Sequence, residues 1–230
     1  MFAVLHEILI LPIAHCFQWV LDTSYTRTQS FGTSIVVLSL VFNFVLLPVY
    51  HFAEKVQNKE REARARMEPK VQEFKRCFSG HERHMMLSAL YRQHHYHPAF
   101  ALRSIVPLLI QVPVFIAAYG LLSDYPPIWE KSYLGIANLG APDGLLSGIN
   151  VLPIVMTVIN LVSAYVYSRD LSARERTQTW LIAMVFFVLL YNSPSGLVLY
   201  WICNNVFSLI KNIAYRVARS GSTHRRISNA

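Results

Sequence analysis

Residues 180–210 read WLIAMVFFVLLYNSPSGLVLYWICNNVFSLI and contain no charged side chain. A helix that spans a membrane needs about 20 mainly apolar residues, so this run is too long for a single crossing. The motif NSPSG at 192–196 lies inside it; these residue types favour a tight turn, and proline also removes a backbone donor. The run therefore predicts two short membrane-spanning helices, over 180–193 and 196–212, joined by this turn.

The composition of the whole chain agrees with a membrane protein. Of its 230 residues, 53% are hydrophobic and only 15% are charged, whereas an average soluble domain has roughly a quarter charged residues. The charges occur in blocks and leave three further apolar segments, at 31–50, 105–122 and 151–167. We therefore expect an all-α membrane protein with five transmembrane helices, and we exclude a disordered chain, a collagen-like repeat and a secreted disulfide scaffold.

The N-terminal segment 1–22 is apolar but differs from the other five. Four of its polar side chains share one arc of a helix, and these are Glu7, His15, Gln18 and Asp22. The pattern favours an amphipathic helix that lies in the membrane interface. A sixth crossing is the alternative, and charge does not distinguish the two because both arrangements leave residues 22–30 on the same side.

Lysine and arginine residues predict the orientation. Nineteen of the 21 lie in 51–104, 168–179 and 211–230, and only Arg27 and Lys131 lie elsewhere. Because basic residues concentrate in cytoplasmic loops, these three stretches are expected in the cytoplasm. The N-terminus and the loop 123–150 are then periplasmic, and the loop 168–179 and the C-terminus are cytoplasmic.

The net charge of +8 is explained mainly by this topology, so we expect no specific DNA binding. The basic C-terminal tail, 213–230, has the charge to contact anionic lipid headgroups or ribosomal RNA. A lipid bilayer is the partner that composition alone predicts.

Residues 51–98 form the one large polar segment. Glu60 with Arg64, and Glu62 with Arg66, are acid-to-base pairs four residues apart, which support a helix. Apolar residues then recur at steps of three and four, and a Ser-Gly step interrupts them once. The pattern predicts a cytoplasmic helical hairpin, with a solvated spacer as the alternative.

No enzyme motif occurs in the sequence, and no acidic residue lies in the five apolar segments, so we do not expect an enzyme. The cysteines Cys16, Cys77 and Cys203 match no metal-ligand spacing and are interpreted as unpaired thiols. The histidines between residues 81 and 97 have no accompanying Cys or Asp and are interpreted as solvated. We therefore expect neither a metal nor a cofactor.

Uncharged polar side chains recur at helical spacing inside the apolar segments. A polar group that faces lipid tails lacks hydrogen-bond partners, so these sides should face the protein interior. Two arrangements remain open, a hydrated groove and ordinary hydrogen bonding between helices. The absence of ionisable residues there argues against an ion channel or proton pump. The candidate groove residues are Ser39, Asn43, Gln111, Thr157, Asn160, Ser163, Asn204 and Ser208.

Five motifs, in order, resemble the YidC insertase family, which includes the Oxa and Alb types. They are FNFVLLP at 42–48, the Met67-x-Pro-Lys-Val-Gln stretch, Leu90-Tyr91, PLLIQVPVF at 107–115 and PSGLVLYW at 194–201. Their order, spacing and topology agree over roughly residues 5–215.

The resemblance implies a membrane protein insertase or chaperone of the bacterial inner membrane. It implies a hydrophilic groove, open to the cytoplasm and to lipid, that receives the polar tail of a nascent membrane protein. The apolar part of the substrate would slide along the second and fifth crossings. The ribosome and the Sec translocon are the further partners that the family implies. The residues assigned to this slide and the turn are Pro107, Pro113, Pro194, Gly196, Tyr200 and Trp201, the last two also read as interfacial anchors.

The sequence departs from the family in several features. The family usually has an arginine in the groove five residues before the first-crossing proline, where this chain has Asn43. An alternative function is therefore a dedicated, non-catalytic assembly or partner subunit of one membrane complex. Pro98 and Pro107 stand farther apart than expected, and no counterpart of the large periplasmic domain of many members is present, so we expect a short form.

Overall fold

The computed structural model describes residues 6–97, 100, 106–167 and 173–228. Within these residues every regular element is a helix and there is no strand, which confirms the all-helical class. Pro98 and parts of the segments 1–22, 51–98, 105–122, 168–179 and 213–230 lie outside the described residues. The helices are α1 (Leu11–Thr28), α2 (Phe31–Cys77), α3 (Gly80–Gln93), α4 (Val106–Ser123), α5 (Val151–Tyr167), α6 (Ala173–Leu190) and α7 (Ser195–Ser228).

Two helices are long and apolar enough to span a membrane by length and composition. They are α2 and the Ser195–Ala214 part of α7. Three shorter apolar stretches accompany them, in α4 (Leu109–Ser123), α5 (Val151–Val166) and α6 (Thr179–Leu190).

Helix α2 does not end with the predicted segment 31–50. It continues through Pro48 and Pro69 to Cys77. A proline inside a helix removes one backbone donor, and here acid–base pairs on the following turns support the helix, with Glu60 Oε1 3.4 Å from Arg64 Nη2. Helix α7 likewise extends beyond 196–212 and includes most of the predicted tail.

The chain divides into two units. The first comprises residues 1–44 and 115–230, and in it α5 packs along α7. Its loop 124–150 is fixed to the start of α7, because Ser195 donates its N–H and its Oγ–H to the carbonyl of Ala141, at 2.8 and 2.6 Å. The N–H of Gly196 donates to the carbonyl of Leu139 at 2.8 Å. This loop therefore covers the turn between α6 and α7.

The second unit comprises residues 45–114. The later turns of α2 pack against α3 around three buried side chains, Met67, Val71 and Leu90. Helix α2 ends at Cys77 and α3 begins at Gly80, whose φ of 54° is favourable for glycine. The α2–α3 part of the unit is thus a pair of polar helices with a small apolar core.

Candidate functional site

Three of the predicted groove residues form one hydrogen-bonded cluster between α2 and α7. Asn204 Oδ1 accepts two hydrogen bonds, from Ser39 Oγ at 2.8 Å and from Asn43 Nδ2 at 2.6 Å. The same amide nitrogen of Asn43 also donates to the carbonyl of Ser39 at 2.8 Å. We call Ser39, Asn43 and Asn204 the amide cluster.

Two members of the amide cluster are buried, and the third, Asn204, is half-buried. Ser39 is 0% exposed and Asn43 is 8% exposed. The sequence left two alternatives for these residues, a hydrated groove and hydrogen bonding between helices. In the amide cluster the structure shows hydrogen bonding between helices. Every member is uncharged, so the cluster offers exchangeable hydrogen bonds and neither an acid nor a base for catalysis.

The candidate residues of α5 do not join the amide cluster. Thr157 donates its hydroxyl to the carbonyl of Pro153 at 2.7 Å, within its own helix. Ser163 is buried and its Oγ accepts a hydrogen bond from Asn212 Nδ2, at 3.2 Å. Asn160 of α5 and Ser208 of α7 are half-buried. The polar side of α7 thus bonds to α2 through Asn204 and to α5 through Asn212.

Gln111 belongs to the second unit. Its Oε1 accepts a hydrogen bond from the hydroxyl of Tyr50, at 2.8 Å. Pro113 lies inside α4. Pro107 lies in the first turn of the same helix, and its side chain is outside the described part of the structure.

Gly196 allows close packing as well as a turn. The sequence predicts the turn but not the packing. A Cβ at this residue would lie 3.1 Å from the carbonyl oxygen of Leu139 and 3.2 Å from Cδ1 of Ile35. Pro194 immediately precedes α7, and its carbonyl accepts the N–H of Val198 at 3.2 Å. The missing side chain of Gly196 is what lets the loop 124–150 approach the start of α7.

The interpretation of Tyr200 and Trp201 as interfacial anchors is wrong. Tyr200 is 1% exposed and Trp201 is also buried. The ring of Trp201 stacks on Phe186 at a centroid distance of 5.2 Å and meets Phe115 edge-on at 5.1 Å. Since both aromatic residues fill the interior of the first unit, they hold α7 against its neighbours.

Two further amides of α7, Asn205 and Asn212, were not among the predicted groove residues. Asn212 continues the four-residue step from Asn204 through Ser208 by one more turn, so the spacing alone gave the signal. Asn205 has a buried Nδ2 with no hydrogen-bond partner among the described residues. Asn205 lies outside this four-residue series, so the spacing gave no signal for it.

The second unit contains an ionisable cluster around one buried carboxyl group. Glu60 is 3% exposed; its Oε1 accepts a hydrogen bond from the Tyr96 hydroxyl at 2.5 Å and lies 3.4 Å from Arg64 Nη2. Burial, and then the hydrogen bond to Glu60, raises the pKa of Tyr96 above its ordinary value. We call Glu60, Arg64 and Tyr96 the acidic cluster.

No group of three or more His, Cys, Asp or Glu side chains that could hold a metal ion occurs in the described part of the chain. The three cysteines are free, and Cys16 and Cys77 are exposed.

The sequence of this chain matches a known protein family and several of its members. The sequence profile of the family described as "60Kd inner membrane protein" matches residues 23–220. A membrane protein insertase YidC from Syntrophobacter fumaroxidans is 28% identical over 208 residues, which cover 86% of this chain and 36% of the relative. The corresponding protein of Coxiella burnetii is 29% identical over 204 residues, which cover 87% of this chain and 34% of the relative.

A solved structure has the same fold. It is titled "Active YidC insertase crystal structure with the first transmembrane domain resolved" and superimposes with a TM-score of 0.56 at 22% sequence identity. The match covers 89% of this chain and 45% of that chain. This chain thus spans less than half of the solved chain and about a third of the length of the two relatives above.

Proposed function

Because the chain belongs to the YidC insertase family, the family described as the 60Kd inner membrane protein, we propose that it eases nascent membrane proteins into the bilayer. The observation that carries the proposal is the amide cluster, in which two apolar helices, α2 and α7, share hydrogen bonds through Asn204. Polar groups in a membrane-embedded helix pair are the feature that a passing polar segment needs.

In the proposed arrangement the five apolar stretches of α2, α4, α5, α6 and α7 cross the membrane, and α1 lies in the outer interface. The N-terminus is outside and the C-terminus is in the cytoplasm, as the positive-inside rule predicts. The polar segment 51–98 is then cytoplasmic by the same rule. The bacterial inner membrane is the proposed location.

The proposed mechanism is an exchange of hydrogen bonds. A polar tail that enters the bilayer loses its water, at a cost of about 2–7 kcal/mol for each unpaired group. Asn43 and Asn204 have donors and an acceptor that they now offer to each other. On arrival of a substrate they bond to its backbone, and the amide cluster re-forms after the tail has crossed. The chain thereby lowers the barrier without any covalent step.

The apolar part of the substrate is proposed to slide along the lipid-facing sides of α4 and α7. Helix α4 exposes Leu109, Val112 and Ile116 at steps of three and four, so they share one side of the helix. Helix α7 exposes Val206 and Ile210 in the same way. These apolar strips allow a substrate helix to replace lipid at little cost in free energy.

Asn43 sets the proposed substrate range. An amide offers hydrogen bonds but no net charge, so the chain should accept polar tails with little preference for acidic ones. The Asn43→Arg variant introduces a positive charge and should shift the preference towards acidic tails. A well-folded Asn43→Arg protein with unchanged preference would contradict the proposed role of this position.

The proposed partners are nascent membrane proteins and lipid, with the ribosome and the Sec translocon at the cytoplasmic side. The charge of residues 211–228 supports contact with ribosomal RNA, since their basic residues attract phosphate. Salt should weaken such an interaction strongly.

Reconstitution tests the function. The purified chain is placed in liposomes, a short single-spanning protein is synthesised beside them, and insertion is measured as protection from protease. We expect more insertion than in empty liposomes, and less with Asn43→Leu than with the matched variant Asn205→Leu. Insertion by the chain that only equals empty liposomes would overturn the proposal.

A further inference from the structure

The loop 124–150 contains a tight turn at 133–136 with an unusual central residue, which we call turn A. Tyr133 and Ile136 exchange backbone hydrogen bonds of 2.9 Å in both directions. Leu134 and Gly135 between them have φ angles of 46° and 86°. A two-residue turn with two positive φ angles favours Asn-Gly or Asp-Gly, because other side chains rarely adopt this conformation. Leucine is therefore not the residue that the turn itself selects.

The side chain of Leu134 also contributes little to the interior of the protein, since it is 84% exposed. A leucine in a left-handed conformation with most of its surface uncovered stabilises neither the turn nor the core.

A second turn, turn B at 146–149, has the same backbone geometry. Leu146 and Ile149 bridge it, and Ser147 and Gly148 have φ angles of 52° and 90°. Here the centre has an ordinary polar residue, but the bridging side chains are exposed, with Leu146 at 63%. Leu145 beside the turn is exposed as well. Two neighbouring turns of one loop thus present apolar side chains outward.

The surface around these turns has almost no charge. Between residues 132 and 155 the single charged residue is Asp143. Its carboxylate is occupied, because it accepts the N–H groups of Val151 at 2.6 Å and Leu152 at 3.3 Å at the start of α5. The apolar surface of turn B therefore continues along the chain into α5, where Ile154 and Val155 are exposed.

The two turns lie at the ends of apolar helices. The ring of Tyr133 covers Gly32 in the first turn of α2, where a Cβ would lie 2.0 Å from Tyr133 Cγ. Turn B directly precedes α5. Trp129 in the same loop is half exposed, and tryptophan concentrates where membranes meet water. If α2 and α5 cross the membrane, these turns lie at its surface.

We propose that turns A and B are lipid anchors, which insert Leu134, Leu146 and Ile149 into the outer-leaflet interface of the bilayer. The inference rests on the proposed membrane arrangement. The lipid surface is the occupant because the apolar side chains continue without charge into the exposed side of α5. The anchors would hold the loop 124–150 on the membrane while Ser195 and Gly196 fix it to α7.

Lipid-borne quenching tests the anchors. Leu134→Cys is labelled with an environment-sensitive fluorophore in the full chain, with Cys16, Cys77 and Cys203 replaced by serine, and reconstituted in liposomes. Lys131→Cys, an exposed and charged position of the same loop, is the matched control. We expect a blue-shifted emission at 134 that headgroup-level spin-labelled lipid quenches several-fold more than at 131.

Equal quenching of both positions by a water-soluble quencher would overturn the proposal, and so would protection of position 134 from both quenchers, which would indicate a second protein copy. Insertion of a test substrate is measured on the same liposomes. If the liposomes insert the substrate but position 134 is exposed to solvent, only the anchor proposal is contradicted. If position 134 lies in lipid but the liposomes insert no substrate, only the proposed function is contradicted.

A second variant separates lipid contact from folding. Leu134→Asn suits the turn better, so its melting temperature in detergent should equal or exceed that of the parent. The melting temperature of each protein is also measured in liposomes. The increase from detergent to liposomes should be smaller for Leu134→Asn than for the parent, because the variant lacks the apolar contact with lipid. A loss of melting temperature that is equal in detergent and in liposomes would show that Leu134 stabilises the protein independently of lipid, and would contradict the proposal.

Discussion

The amide cluster and the acidic cluster solve the same packing problem with different chemistry. In each, two positions of α2 four residues apart bond to a side chain distant in sequence, which is Asn204 in the first unit and Tyr96 in the second. The amide cluster lies among apolar helices and is neutral. The acidic cluster lies among charged helices and contains a buried carboxylate.

The difference follows from the cost of burying charge. An ionised carboxylate away from water needs a counter-charge and several hydrogen bonds, and Glu60 has Arg64 and Tyr96 for this purpose. An amide needs only neutral partners and can exchange them at low cost. In the proposed function the amide cluster is the one that a substrate opens, whereas the acidic cluster holds a helix pair together.

Loss of the shared acceptor in the amide cluster should have the largest effect on stability. Asn204→Leu leaves the Ser39 hydroxyl and the Asn43 amide without their common partner, and we expect a loss of about 1–3 kcal/mol in the free energy of unfolding. Chemical unfolding in detergent measures it. Asn205→Leu is the control, since Asn205 Nδ2 has no partner in the described structure, and this variant should be neutral or stabilising. Equal losses in both variants would remove the distinction between the two amides.

The acidic cluster should show a smaller effect, confined to the second unit. Tyr96→Phe deletes the hydrogen bond to Glu60, and because Tyr96 is half-buried we expect a loss of about 1 kcal/mol. Hydrogen exchange of the α3 amides reports the change. Tyr91→Phe retains a ring in the same core, 5.5 Å from that of Tyr96, and should leave exchange unaltered. Faster exchange in the Tyr91 variant alone would contradict the assignment.

Alkaline pH should weaken a third polar link, in the first unit. Burial, and then the hydrogen bond to Asp22, raises the pKa of Tyr125 from 10.0 to about 12. The folded state thus favours the protonated phenol, so its contribution is intact below pH 10 and is lost as pH rises towards about 12. Tyrosinate absorbance in a titration of the protein and of Tyr125→Phe measures this pKa.

The matched variant for this titration is Asp22→Asn, which keeps a hydrogen-bond acceptor and removes the negative charge. The pKa of Tyr125 should fall part of the way back, because burial remains as the larger cause. A pKa that does not respond to Asp22→Asn would show that the carboxylate has no influence on the phenol.

The smallest effect is expected at the exposed ion pair of α2. Glu62 and Arg66 are 4.0 Å apart with most of both side chains in solvent, so Glu62→Gln should change stability by less than about 0.5 kcal/mol. Glu60→Gln, two residues earlier and buried, should cost more in the same measurement. A reversed order would contradict the role given to burial.

The helical class and the family followed from the sequence because apolar length, turn residues and ordered motifs are local properties. The four-residue step also placed Ser39 and Asn43 on one side of α2, where they bond to each other. Their partner could not be predicted, since neighbouring helices are chosen by packing across the whole fold. Asn204 and Asn205 are identical in type and adjacent, and only the packing of α7 against α2 gives one of them two donors.

Tyr200 and Trp201 show a second limit of prediction from sequence, which concerns burial. Aromatic residues beside a predicted turn suit the membrane interface and a protein interior equally well in sequence. The structure buries both because Phe17, Phe115 and Phe186 converge on them from distant parts of the chain. Burial of this kind depends on tertiary contacts that no local spacing contains.

Photocrosslinking from single positions tests most directly the proposed passage of polypeptides along the polar side of α7. A photoreactive residue at Ser208, one turn from Asn204, is compared with one at Val206, which is exposed on another side of the helix. With a ribosome-stalled membrane protein, position 208 should crosslink to the polar tail and position 206 to the apolar segment or lipid. Crosslinks from position 206 to the polar tail would contradict this path. An active preparation in which neither position crosslinks to the tail would contradict it as well.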